Sequence, residues 1–176
     1  MFSPNTRVYA PDGYVRIRKL KINDEIIVLE GIRMLVGRVH LRQKIQVHRD
    51  YIVKLQFEGC EKKITCSEEQ IFYDIQDQPV SAGEIEIGEN CKGLHHNHHK
   101  LIGREKIEHD SQLDKLEKAG HHEFFLYNLL LVGHKNLAAD KFYLNSGILT
   151  KGLEYTEEVV HHYEGNKYKN YMESKA

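Results

Sequence analysis

Between Arg7 and Glu89 short runs rich in Val, Ile and Tyr are broken at Pro11-Asp12-Gly13, Asn23-Asp24, Glu30-Gly31 and Glu58-Gly59, and this punctuation constrains the chain more than any other feature. Gly adopts positive φ at no steric cost, Pro presets the first turn position, and Asn and Asp bond their own backbone, so such clusters stop helices and reverse strands. An all-β fold is the expectation. The segment Asp50 to Gly59 alternates Ile52, Lys54 and Gln56 against Tyr51, Val53, Leu55 and Phe57, and the turn after it leads into EKKITC. That pattern predicts a hairpin whose apolar face carries Tyr51, Val53, Leu55 and Phe57.

Two further segments depart from this grammar. Residues 90–122 are polar and include His95, His96, His98 and His99, with a cap-like Asp110-Ser111 opening one or two helical turns that Gly120 would close. They read as an insertion or long loop. Glu123 to Gly133 (EFFLYNLLLVG) is strongly apolar and too short for a bilayer, so it reads as a strand buried on both faces and running through the core. After Lys151 the spacing of Tyr155, Val159 and His162 or Tyr163 predicts a short amphipathic helix before a charged end.

Composition narrows the function classes. The 25 basic and 26 acidic side chains leave a formal charge of −1, which offers no electrostatic footprint for nucleic acid. No run of about 18 apolar residues exists, so no membrane span is expected. The opening MFSPNTRVYAPDG has a proline, a charge and a turn where a signal peptide needs an apolar core, although a precursor could carry a signal upstream, and the compartment stays open. Cys60, Cys66 and Cys91 lack the close pairing of a zinc knuckle or a redox motif and are expected to be free thiols.

Three ordered blocks carry a family resemblance. FSPNTRVYAPDGYVRIRKLKINDEIIV, through Phe2, Pro4, Thr6, Val8, Gly13, Ile17, Leu20, Asp24 and Ile26, resembles the first block of the hedgehog/intein (Hint) domain, where Cys-Phe-x-x-x-Thr opens a β-rich self-cleaving module. ITCSEEQIFYD resembles the second block, Thr-x-x-His before an apolar pair, with Ser67 and Gln70 in the Thr and His places; Gln followed by Phe-Tyr is closer to pretoxin-type bacterial Hint domains. PVSAGEIEIGE fits the strand and turn that follow, through Ala82, Ile85 and Gly88. YNLLLVGHKNLAADKFYLNSG resembles the last block, with eleven residues from His134 to Asn145, Leu144 in the penultimate His place and Ser146 in the acceptor place. A second register aligns GILT with the terminal strand and puts Lys151 and Gly152 where His-Asn would stand.

The resemblance covers about residues 1–150 and implies a Hint β-fold domain there, with 151–176 as a partly helical tail. It implies a single-turnover autocatalytic module acting on flanking polypeptide segments in cis, as a monomer, with no cofactor. The site residues it implies are Met1, Ser67, Gln70, His134, Asn145 and Ser146. In the family the first residue's thiol or hydroxyl attacks the preceding carbonyl. Met1 cannot, because a thioether carries no ionisable proton; either the step is lost or Met stands in for Cys. Gln70 can orient a carbonyl with Ser67 alongside but cannot carry a proton as His does. The two residues could equally cap a turn between strands. Asn145 could cyclise onto its own carbonyl, with Ser146 as acceptor and His134 protonating the leaving amine, or Asn145-Ser146 could simply be a turn.

Three functions therefore stand: an impaired self-processing Hint module, a catalytically inactive Hint module used as a structural or interaction domain, and a His-rich metal-binding β protein. The last rests on His95 to His99 alone. Adjacent histidines on an extended chain face opposite ways, so only pairs such as His96 and His98 could share a metal, and no cysteine or carboxylate completes a tetrahedral set. The cluster reads as a solvated loop, and no metal site is expected.

Overall fold

A computed structural model describes residues 1–107 and 123–154. The chain folds into fourteen strands among these residues: β1 Arg7–Ala10, β2 Gly13–Arg16, β3 Glu25–Glu30, β4 Arg33–His48, β5 Ile52–Phe57, β6 Ile64–Ser67, β7 Ile71–Tyr73, β8 Pro79–Ser81, β9 Asn90–Lys92, β10 His98–Lys106, β11 Glu123–Val132, β12 Ala138–Ala139, β13 Lys141–Tyr143 and β14 Leu149–Lys151. β1 and β2 form a hairpin, four strands pair in the order β6-β5-β10-β9, and eight in the order β12-β11-β4-β3-β13-β14-β7-β8. All the pairings between these strands are antiparallel. The helix expected in the tail and the helical turns expected at 110–120 lie outside the described residues. No helix among the described residues is long and apolar enough to cross a membrane.

The 16-residue strand β4 is the spine of the larger sheet. Its first part pairs with β3, from Arg33 opposite Glu30 to Arg38 opposite Glu25, and its second with β11, from Arg38 opposite Val132 to His48 opposite Glu123. Gly37 sits where the partners converge: a Cβ there would lie 2.6 Å from the Val132 carbonyl oxygen and 2.8 Å from Val28 Cγ1, closer than any side chain permits. β11 runs through the core as its apolar sequence predicts. From Leu126 to Val132 every residue is buried, while Phe125 faces out.

The hairpin predicted after Asp50 is present as β5–β6, with Ile52 opposite Ser67 and Leu55 opposite Ile64. Its apolar face differs from the alternation in one place. Arg49 to Tyr51 form a 3₁₀ turn, so Tyr51 leaves the pleat and is 58% exposed while Ile52 is buried. A larger correction concerns residues 90–106, expected as a loop: β9 and β10 pair with each other, and β10 pairs on its other edge with β5. Backbone pairing on both edges holds β10, whose burial is confined to Leu101. Its polar sequence therefore carries no strand signal.

Phe2 is the residue around which the main core closes. It is fully buried among Ile17, Val28, Leu55, Phe142 and their neighbours, its ring edge-on to Phe142 at 6.1 Å. Residues 1–3 run between β6 and β11 as an added strand: Phe2 and Tyr127 bond each other's backbone, Ser3 N–H donates to the Thr65 carbonyl at 3.0 Å, and Ser67 N–H donates to the Met1 carbonyl at 3.0 Å.

Candidate functional site

That added strand delivers residue 1 to a small open cavity of about 200 Å³, lined by Met1, Ser67, Glu69, Gln70, Ile71, Asn128, Lys151 and Gly152. Strands β6, β7, β11 and β14, the added strand of residues 1–3 and the turn between β6 and β7 build it. β6 ends at Ser67, and a tight turn closed by Gln70 N–H to the Ser67 carbonyl at 3.1 Å brings Gln70 back beneath it. Both side chains are buried, Ser67 8% and Gln70 5% exposed. The turn that sequence alone allows for this pair is thus also the element that places both side chains at the cavity.

Gln70 spans the cavity. Its Oε1 accepts a hydrogen bond from the Met1 amino group. Its Nε2 donates to Thr150 Oγ1 at 2.9 Å and to the Lys151 carbonyl at 2.7 Å. Thr150 in turn donates from Oγ1 to the Ile71 carbonyl at 2.8 Å, which fixes the direction of the hydroxyl and leaves its lone pairs toward Gln70. Both donor sites of Gln70 are thereby committed to the terminal strand, and its acceptor to residue 1. Burial pushes the Met1 amine down from 8.0 to about 5, since an ammonium out of water is disfavoured unless paired with a charge.

Ser67, Gln70 and Met1 are the three expected site residues that the fold brings together. His134 lies in an exposed turn after β11, and Asn145 and Ser146 in a turn between β13 and β14; none of them lines the cavity. The Asn145 side chain has another task, accepting from Arg7 N–H at 3.0 Å and tying β1 to that turn. Leu144 is wholly buried beside Val8, a core position. It is the second register, with Lys151 and Gly152, that reaches the cavity. Sequence reasoning missed Thr150, Asn128 and Glu69. Thr150 and Asn128 are polar residues inside otherwise apolar strand runs, a signal that was available; Glu69 carries none.

Cys66 adjoins the site and pairs with Phe2, yet it is fully buried and its thiol is pushed up to about 12 by burial, so it offers no nucleophile. All three cysteines are free and buried. His95 and His96 are not extended but occupy a left-handed turn, at φ 54° and 61°, so the face-sharing expected of His96 and His98 does not arise from strand geometry. His99 Nδ1 is 4.0 Å from Cys60 Sγ. Among the described residues no group of three or more His, Cys, Asp or Glu is placed to hold a metal ion.

No family model matches this sequence, and no curated protein matches it significantly. The architecture does match solved structures. The bacterial intein-like domain from Clostridium thermocellum superposes with a TM-score of 0.69 at 15% identity, over 86% of this chain and 97% of that one. The gp41-1 intein gives 0.60 at 22% identity, over 86% and 97%. A DnaB intein from Synechocystis sp. PCC 6803 gives 0.65 at 12% identity, over 87% and 98%. With residue 1, the turn after β6 and the end of the terminal strand gathered at one cavity, this chain has the hedgehog/intein (Hint) fold.

Proposed function

We propose that the chain is a Hint-type self-processing module in which the junction at residue 1 is positioned for acyl shift in cis but left without the groups that drive it. One observation carries the reading: a single side chain, Gln70, holds the residue-1 nitrogen and the Lys151 carbonyl together. Such closure of distant chain segments replaces a bimolecular encounter by a preset geometry. In an acyl shift that nitrogen is the leaving group and must gain a proton. Gln70 presents an acceptor to it and has no proton to give, and the Met1 thioether cannot attack a carbonyl. Flanking polypeptide in cis is the substrate class, and neither a metal nor a cofactor enters the scheme.

The second reading, an inactive Hint module kept for its shape, is favoured by one contact set. The Met1 side chain packs against the apolar cluster of Ile52, Ile107, Phe124 and Leu126, where it serves as a plug. Expression of the chain behind a short upstream peptide, as Met1 and as Met1→Cys, separates the two by mass spectrometry. Intact Met1 precursor together with thiol-induced loss of the upstream peptide from the Cys form is expected. A Cys form that stays intact under added thiol hands the case to the inactive reading, and cleavage of the Met1 form overturns the mechanism.

A further inference from the structure

We infer that the carboxyl-side junction is sealed, so that once residue 1 carries a nucleophile, processing is confined to the residue-1 side and the acyl group passes to an external nucleophile, water or a small thiol. This rests on the self-processing reading above for its chemistry, but its structural basis is separate. β14 does not end free in the cavity. It is paired on one edge with β13 and on the other with β7, and the chain beyond it stays bound: Gly152 N–H donates to the Asp140 carbonyl at 2.6 Å and Leu153 N–H to the Leu129 carbonyl at 2.8 Å.

Gly152, the cavity residue that takes the terminal Asn place, has no room for a side chain. A Cβ there would lie 2.6 Å from the Leu129 carbonyl oxygen, a main-chain atom held within β11, and 3.5 Å from the Phe142 ring. A side-chain amide that would attack its own backbone carbonyl cannot be housed at this position, whichever residue is written there. Asn145 offers no substitute, because its carboxamide oxygen is bound to Arg7 N–H and it lies outside the cavity. Neither register supplies a cyclising amide.

The chemistry that remains balances on one side only. With a cysteine introduced at position 1, its sulfur bonds to the upstream carbonyl carbon, the C–N bond breaks, and the residue-1 nitrogen leaves as an amine carrying the thiol proton. Water or a thiol then adds to the thioester carbonyl, the C–S bond breaks, and the sulfur at position 1 recovers a proton. The cavity, about 200 Å³ and open, admits a nucleophile of that size.

The test uses residues 1–176 with a reporter peptide on each side, so that scission after Asn145 or after Gly152 would free a downstream fragment carrying the second peptide. In the Met1→Cys form, mass spectrometry should find the upstream peptide as free acid or thiol adduct, and the downstream peptide still attached. Ligated upstream–downstream product, or free downstream peptide from the Met1 or Cys form, overturns the inference. Gly152→Ala should lower Tm by about 5 °C or more, or prevent folding; an unchanged Tm overturns the steric seal. So does release of the downstream peptide by Gly152→Asn. If the Cys form leaves the upstream peptide intact under thiol, the self-processing reading fails, while downstream release and the Gly152→Ala Tm still decide the seal.

Discussion

Phe2 and Tyr127 bond each other's backbone twice, N–H to carbonyl in both directions at 2.7 Å, and so lock the chain's opening onto the strand that crosses the core. The pairing works only because the Phe2 side chain is swallowed by the main core, wholly buried and edge-on to Phe142. Truncating such a ring leaves a cavity that a strand-built core does not close, at a cost of about 3–5 kcal/mol. Phe2→Ala should therefore lower the denaturation midpoint strongly without changing the denaturant slope, and in the Met1→Cys background it should abolish thiol-induced cleavage. Retained cleavage would mean that residue 1 reaches its position without the Phe2 anchor.

Gln70 is predicted to be the rate-limiting deficiency once a nucleophile is present. Its Oε1 meets the residue-1 nitrogen, whereas the shift needs a proton delivered there. In Met1→Cys, adding Gln70→His should accelerate upstream cleavage on the order of 10²-fold, the usual worth of a positioned general acid. The rate should acquire a pH dependence near neutrality that the Gln form lacks. Gln70→Ala instead strips partners from a buried amine and from the Lys151 carbonyl, and should destabilise the fold by about 1–3 kcal/mol.

The buried Met1 amine gives stability a pH slope. Its pKa falls from 8.0 in the unfolded chain to about 5 in the fold because burial penalises the ammonium. Between those values the unfolded chain binds a proton that the folded one rejects, so stability rises with pH across the window. The contribution is complete above about 8 and is lost as pH drops toward 5. An upstream peptide converts the amine into an amide and removes this slope. Urea unfolding of the two forms from pH 5 to 8 should thus show a steeper rise for the free-amine chain; parallel curves would contradict its burial.

How much of this was legible in the sequence depends on whether local pattern or long-range pairing sets a residue's place. Phe2, Ser67, Gln70 and Tyr127 could be read because ordered blocks mark them, and β11 because seven successive buried positions leave a run that is apolar but for Asn128. Which of Asn145-Ser146-Gly147 and Lys151-Gly152 comes to the cavity could not be read, because it is β14 pairing with β7, where Thr150 lies opposite Phe72, that carries Lys151 and Gly152 there. β10 was invisible because solvent covers most of its side chains, so its strand identity resides in backbone bonds that composition does not encode.

Thiol reactivity should follow burial. Cys66 and Cys91 are at most 1% exposed, and burial pushes both thiols up to about 12. At pH 8 each is thiolate for about one part in 10⁴, and only the thiolate reacts. Alkylation of the native protein followed by peptide mapping should leave both unmodified over a time that labels all three cysteines in denaturant. Rapid native labelling of Cys66 would mean that the strand pairing around Phe2 opens on that timescale.

Asn145 provides the last test, because its two possible roles predict opposite readouts. In the structure its Oδ1 receives the Arg7 N–H at 3.0 Å, bracing the turn against β1, where Val8 pairs with the buried Leu144. Asn145→Ala leaves that amide without its partner and should cost about 1 kcal/mol, the net worth of one such bond. Asn145→Asp keeps an acceptor oxygen at the same place and should restore most of the loss. A cyclising residue would behave differently: Asp lacks the attacking amide nitrogen, so both variants would abolish release of a downstream segment and neither rescue would occur. Thermal denaturation of the two variants, with mass spectrometry of the chain bearing a downstream peptide, distinguishes a brace from a scissile residue. Stability loss that Asp repairs, with the downstream peptide attached throughout, is the outcome that the Arg7 contact demands.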